Sequence, residues 1–319
     1  MTINFKDPET RYLIDYANMK GGLIKYQKNF LNKKELFKFY KNKFYGVPLL
    51  LPFGIKFFDY SDANFFEVNK IDIQKNVFNV KKSNYIGMKI FFKYGNIFCS
   101  NIKLKKKYEN KFKYILKFNG AAQKFISKKK LKVGSFQTRN IPHLGHEKIF
   151  ERYFKFVDDI YINPLLGIRK EGDCSNSILK KSYQILSKRY KKKIKYVPII
   201  CNMHYCGPRE ALHHLNIREK LKFDYFAIGR DHAGAENVYK NDDAVKLVKK
   251  NLKKFKINIF YHKGAFYCAK CRKIIIKGDC NHLNKLKEIS GSKLRSNLKN
   301  NIKYRFLRQE LQKKLSKYK

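Results

Sequence analysis

From residue 131 onward the chain alternates between two kinds of segment. Short apolar runs, LKVGSFQT (131–138), DIYINPLL (159–166), KYVPIIC (195–201), FDYFAIG (223–229) and KINIFY (256–261), have the length and composition of buried strands. Between them lie HEKIFERYFKFVDD, NSILKKSYQILSKRY, REALHHLNIREKL and DDAVKLVKKNL, with apolar residues three and four apart, as on one helix face. Five strands alternating with four helices predict an α/β fold with a doubly wound, Rossmann-like parallel sheet, because parallel neighbours need a crossover and its hand is fixed. In a 3-2-1-4-5 strand order, the first and fourth strands flank the switch point, where ligands bind beyond the carboxyl ends.

Residues 1–128 read differently. Runs such as GVPLLLPFGIKFFDY (46–60), YIGMKIFFKYG (85–95) and YILKFNG (114–120), set between turn residues, predict a mostly β domain with no catalytic motif. Lysine-rich ISKKKLK (126–132) marks its end. The chain thus divides into 1–128, an α/β domain over 129–290, and a short C-terminal helical segment over 291–319.

Lys plus Arg number 72 against 25 acidic residues, a net charge of +47, which ordinarily indicates a nucleic-acid or membrane-surface partner. The carrier of that charge argues otherwise. There are 60 Lys and only 12 Arg, and the lysines spread along the whole chain, whereas a nucleic-acid groove favours arginine forks gathered on one face. The excess reads as drift toward lysine, asparagine, isoleucine, phenylalanine and tyrosine, and specific nucleic-acid binding is not expected. Residues spared by drift become informative: all 8 His and eleven of the 12 Arg stand at or after residue 139, with Arg11 alone before it. No run of about 18 uncharged apolar residues occurs, so no membrane span is expected. The N-terminus lacks a signal-like apolar stretch, and seven cysteines fit metal binding in a reducing compartment, so a cytoplasmic protein is expected.

Three polar clusters follow the candidate strands. QTRNIPHLGHE (137–147) sets His143 and His146 across Gly145 at a strand-to-helix junction, where a helix N-terminus favours anions and two imidazoles can donate to phosphate. This is a nucleotidyl-transfer pattern; its bland alternative is a pair of capping histidines. GRDHAG (229–234) supplies Arg230, Asp231 and His232 beside a bare Ala233-Gly234 backbone, or else a solvated turn. MHYCGPREALHH (203–214) places Arg209 and Glu210 after Gly-Pro, which ordinary helix-start chemistry also explains.

Together these segments resemble the ATP sulfurylase (sulfate adenylyltransferase) family. Its QTRNPxHxxHE is similar to Gln137–Glu147, its GRDHAG to 229–234, its MRYAGPREA to 203–211, its HPxxG to NPLLG (163–167) and its SGTKLR to SGSKLR (290–295), in the same order over about residues 131–298. The resemblance implies joining of sulfate to the α-phosphorus of MgATP, giving adenosine 5′-phosphosulfate and pyrophosphate by direct in-line attack. It implies that Gln137, Arg139 and Ala233 hold sulfate, that Thr138, Arg139 and Asn140 shape the reacting centre, and that His143 and His146 steady the leaving pyrophosphate. Gln137, Thr138, Arg139, Asn140, Gly229, Arg230, Asp231 and His232 would contact ATP. It also implies a PUA-like N-terminal domain, shortened here, and a homo-oligomer. Ile141, Asn163, His204 and Ser292 depart from the family pattern; at 163 and 204 the change removes positive charge near anionic ligands.

Cys268, Cys271, Cys280 and His282 have the spacing of a closed tetrahedral zinc site, which is structural because four protein ligands leave no open position; some bacterial family members carry a similar cluster. No phosphate-binding GxxxxGK[ST] loop is present. Two alternatives remain at this point: another H-x-G-H adenylyl- or cytidylyltransferase, and a basic zinc-bearing RNA-binding protein without catalysis.

Overall fold

The computed structural model describes residues 3–315 except 42–45, 129, 169–172, 231, 233–235, 237, 290 and 301, and gives only the backbone at 292 and 299. The first region holds helices α1 (Thr10–Lys20), α2 (Lys33–Tyr40), α3 (Lys70–Ile73), α4 (Ile86–Phe91) and α5 (Glu109–Ser127). Among them lie five short strands, β1 (Leu51–Pro52), β2 (Phe58–Asp59), β3 (Asn64–Glu67), β4 (Ile97–Ser100) and β5 (Lys103–Leu104), in two small antiparallel sheets ordered β1-β4-β3 and β2-β5. The mostly β layout expected for residues 1–128 is therefore corrected to a helix-rich one. The 85–95 run contains α4, and 114–120 lies inside α5, whose buried residues Ile115, Asn119, Ala122 and Ile126 recur at helical spacing.

The second region builds the sheet as expected. Strands β6 (Val133–Phe136), β7 (Asp159–Ile162), β8 (Ile194–Tyr196), β9 (Tyr225–Gly229) and β10 (Asn258–His262) alternate with α6 (Leu144–Tyr153), α7 (Asn176–Arg189), α8 (Pro208–Lys220) and α9 (Asp243–Asn251). All pairings are parallel and the order is β10-β9-β6-β7-β8, which is 3-2-1-4-5 counted from the first strand of this sheet. Strands β6 and β7 are buried along their full length because helices cover both faces. After β10 come β11 (Ala265–Cys268), β12 (Lys273–Ile276) and β13 (Leu286–Glu288), an antiparallel sheet ordered β12-β11-β13, then α10 (Gly291–Lys299) and α11 (Gln309–Leu315).

Three large cores hold these parts together. One joins the first region to Ile200, Tyr205 and Cys206. The second, on one sheet face, takes in Ala122 and Ile126 of α5, so the last turns of α5, before the boundary placed at residue 128, pack into the core of the second region. The third gathers the other sheet face with Leu294, Leu307, Leu311 and Leu315, so the C-terminal helices pack onto the sheet rather than standing apart.

At Gly134 in β6 an added Cβ would lie 2.4 Å from Tyr153 Cζ. Tyr153 is fully buried and stacks on Phe260 at 4.5 Å, leaving the ring little room to retreat. Gly134→Ala should therefore lower unfolding free energy by about 1–3 kcal/mol through overpacking. Urea denaturation with an unchanged midpoint would show that the ring moves freely.

Candidate active site

A cleft of about 320 Å³ opens at the carboxyl ends of the parallel strands, a volume suited to a small ligand. Gln137, Thr138, Arg139 and Asn140 enter it after β6, Gly229 at the end of β9, and His262 at the end of β10. The two distant clusters thus meet where β6 and β9 lie side by side. Leu165, Asp173, Met203 and Tyr205 complete the opposite wall.

Each of these side chains has a traceable support. The backbone N–H of Asn140 donates to Thr138 Oγ1 at 3.0 Å, bending the chain into its turn. Asn140 Oδ1 accepts from Arg295, and Gly291 abuts the same amide, where a Cβ would sit 2.7 Å away. The SGSKLR segment, of which Ser290 lies outside the described residues, therefore supports the first cluster across a long separation. Gln137 Nε2 lies 3.4 Å from Met203 Sδ, while its buried Oε1 has no partner among the described residues. Arg139 Nη1 stands 3.6 Å from Asp173 Oδ2 and is 41% exposed, so it reaches into the opening.

His143 and His146 cap α6 with their own rings. His143 Nδ1 accepts from the His146 N–H and His146 Nδ1 from the His143 N–H, each at 3.3 Å, with the rings stacked at 3.9 Å. The capping alternative is thus realised, and His146 also lines the cleft, so the two readings are compatible. Glu147, 4% exposed in its side chain, takes a forked pair of bonds from Arg308 at 2.7 and 2.6 Å, and the Leu144 N–H donates to Phe306 O. The C-terminal segment thereby fixes the helix start.

In the second cluster, Asp231, Ala233 and Gly234 lie outside the described residues. Arg230 turns toward the antiparallel sheet, where it pairs with Glu288 and lies over the Phe266 ring at 5.1 Å. His232 lines the cleft, with Nε2 3.0 Å from His214 Nδ1. His204, at one departure, is buried between Arg11 and Asp15; Asn163, at another, is fully buried and donates to Val197 O. Both side chains are engaged within the fold behind the cleft wall. Arg209 stacks over Phe39 of α2 at 4.7 Å.

Sequence reasoning missed the groups that hold the wall at 200–206. Asn18 and Asn119 bond both backbone groups of Ile200, Arg11 donates to Met203 O, and Tyr85 donates to Tyr205 O at 2.7 Å. The lone arginine of the first 138 residues was the available signal. His262 was also missed; it follows the last residue of the run read as a strand, and its buried Nδ1 has no partner among the described residues.

The four predicted metal ligands come together: one donor atom each from Cys268, Cys271, Cys280 and His282 lies within 4.8 Å of the others. Cys271 N–H donates to Cys268 Sγ at 3.4 Å, the turn geometry of a CxxC knuckle, so the set can hold a metal ion. Among the described residues, no helix is long and apolar enough to cross a membrane, and the seven cysteines form no disulfide.

A model of the ATP-sulfurylase family matches residues 113–318, more than half the chain. The chain belongs to the ATP-sulfurylase family. The sulfate adenylyltransferase of Pyrococcus abyssi is 30% identical over 310 residues, covering 89% of this chain and 82% of that protein. That of Ignicoccus hospitalis is 38% identical over 167 residues, covering 51% of this chain and 44% of its own length. In fold alone, the chain is similar over 99% of its length to a hexameric APS kinase structure from Thiobacillus denitrificans, with TM-score 0.61, 8% identity and 62% of that chain covered.

Burial depresses the site imidazoles. His143 and His262 are pushed down to about 4, and desolvation holds His146 and His232 well below the ordinary value. At neutral pH this ATP-sulfurylase site therefore presents neutral rings. The unfolded chain takes up protons below about pH 6.5 that the folded chain refuses, so stability is full above that value and is lost as pH falls toward 4. Melting temperature should be nearly flat from pH 8.5 to 7 and fall steeply from 6.5 to 4.5. A flat profile through the lower window would contradict the burial of these rings.

Proposed function

We propose that this protein is a sulfate adenylyltransferase, joining ATP and sulfate into adenosine 5′-phosphosulfate and releasing pyrophosphate. The observation that carries the reading is the meeting of the QTRN–HLGH segment and the Gly229–His232 segment over one cleft at the switch point, in a chain of this family. A sulfate oxygen would attack the α-phosphorus in line, forming one P–O bond as the bond to the β-phosphate bridging oxygen breaks. Sulfate arrives ionised, so no general base is needed, and catalysis consists of positioning and charge neutralisation.

In this reading Arg139, exposed in the opening, and Gln137, whose Oε1 is unpaired among the described residues, hold sulfate together with the Ala233 backbone. Thr138, Arg139 and Asn140 shape the reacting centre. His143 and His146 spend Nδ1 on the helix cap, which leaves Nε2–H as a donor for the departing pyrophosphate. Gly229, Asp231 and His232 border the nucleotide, while Arg230 supports that wall through its contacts to Glu288 and Phe266. Magnesium carried with ATP would neutralise phosphate charge. Residues 129–290 would form the catalytic unit, working in the cytoplasm as a homo-oligomer, with 1–128, including its small antiparallel sheets, as a reduced PUA-like partner.

The test is ATP formation from adenosine 5′-phosphosulfate and pyrophosphate by purified protein. Arg139→Ala should abolish it, and His146→Ala should lower kcat by about 100-fold or more. Failure of the unmodified, folded protein to form ATP would overturn the assignment.

The Cys3His set supports a structural zinc. Its thiol and imidazole donors suit that ion, and the sheet bearing them packs on α6, with Ala265 Cβ within 3.3 Å of a Cβ placed on Gly145. Metal analysis should find about one zinc per chain, and chelation should lower the melting temperature by at least ~5 °C, since metal binding to the folded state alone adds to stability. A folded, active preparation without zinc would remove the metal from the account.

A further inference from the structure

Arg218, in the last turn of α8, is 0% exposed, a place where a guanidinium ordinarily has a carboxylate beside it. Of its five N–H donors, only those of Nη2 have a partner, the carbonyl of Asn163 at 3.1 Å. Nε and Nη1 are buried and bond to nothing among the described residues. The carboxylates of the same helix are engaged elsewhere. Glu219 pairs with Lys25. Glu210, two turns back and about 12 Å along the axis, accepts the amides of His204 and Cys206. Desolvation pushes Arg218 down to about 9, which leaves it charged at neutral pH.

The guanidinium does not line the cleft, but it lies against groups that do. Its Cζ is 5.1 Å from the centre of the Phe226 ring in β9, and that ring meets His232 edge-on at 5.2 Å. Taken in succession, these contacts put the charge no more than about 10 Å from a ring in the cleft wall, a range over which unit charges still interact in a buried setting. On the other side, Asn163 stands two residues before Leu165, which lines the opposite wall. The imidazoles nearby add no charge of their own: burial above all, with Arg218 contributing, holds His214 and His232 well below the ordinary value.

A buried charge without a counter-ion destabilises the empty protein, and the penalty falls when an anion enters the neighbouring cleft. We infer that Arg218 is a fixed cation behind the cleft whose counter-charge is the anionic part of the ligand, drawn in through space without contact. The inference deepens the sulfate adenylyltransferase reading and rests on it for the ligand, a nucleotide whose phosphates carry the charge. Arg218 also ties α8 to β7 through Asn163 and stacks on Phe226, and a loss of that tie alone would weaken every ligand alike. A field acts in proportion to the charge of the ligand, so a series of ligands differing in charge separates the two roles.

The deciding experiment is calorimetric titration of the full-length protein with adenosine, AMP and ATP in the absence of magnesium. In Arg218→Met the dissociation constant should change less than about twofold for adenosine, rise about tenfold for AMP and rise further for ATP. Arg218→Gln, neutral but still able to donate a hydrogen bond, should show the same order, and it decides the matter if Arg218→Met does not fold. A loss of equal size for all three ligands, or no loss for any, overturns the inference. So does failure of both neutral variants to fold, which would make the guanidinium structural. If the unmodified protein binds none of the three, the functional reading falls together with the inference; if it binds them and the variants show no dependence on charge, the inference alone falls.

Discussion

A chain that lines a cleft on one side and a core on the other must find partners for its backbone polar groups away from any sheet. Residues 200–206 are in that position, and much of this molecule is arranged around satisfying them. Ile200 is bonded at both its N–H and its carbonyl by asparagines from α1 and α5. Met203 and Tyr205 give their carbonyls to Arg11 and Tyr85, and the amides of His204 and Cys206 go to Glu210. Each lost partner would strand a buried group at a cost of about 1–3 kcal/mol. The region without catalytic residues thus supplies the atoms that keep one cleft wall in place.

The same division clarifies the charge. Lysines cover the surface, and pairs such as Lys103 with Asp62 or Lys113 with Glu109 are exposed and contribute little. Arginine and histidine occupy sites where geometry matters: Arg308 forked on Glu147, Arg305 stacked at 4.4 Å over Tyr267, Arg295 on Asn140, and seven of the eight histidines in or behind the cleft walls. A planar fork or an imidazole cannot be exchanged for an ammonium without losing directed bonds. The strong net charge is therefore largely a property of the surface, while the cleft walls are braced by a few arginines and histidines.

The parallel sheet was legible in the sequence because its strands are bounded by helices whose period is clear, and parallel pairing then leaves few strand orders. Gln137–Asn140 and Gly229 were legible as cleft residues for the same reason, since they end the first and fourth strands. The first region was misread where aromatic runs conceal their period. In α5 the buried face carries an asparagine and an alanine while Phe125 and Tyr114 are exposed, so apolar spacing points away from the helix that forms. Arg230 was assigned to the cleft because its motif neighbours are there. Its actual partner, Glu288, arrives on a separate sheet whose placement against α6 depends on packing that no local pattern reports.

The bond between Asn18 and Ile200 spans 182 residues, and that between Asn216 and Leu23 spans 193. Contacts so distant along the chain close only after much of the intervening chain is ordered, because loop entropy must be overcome before they contribute. Within the sheet, every pairing but that of β6 with β9 joins strands consecutive in the chain, so those loops are shorter. The strand-end turn and the helix cap depend on distant partners as well, Asn140 on Arg295 and Glu147 on Arg308. Competence to enclose a ligand is thus a property of the whole chain, since each side of the cleft is completed by residues far along the sequence.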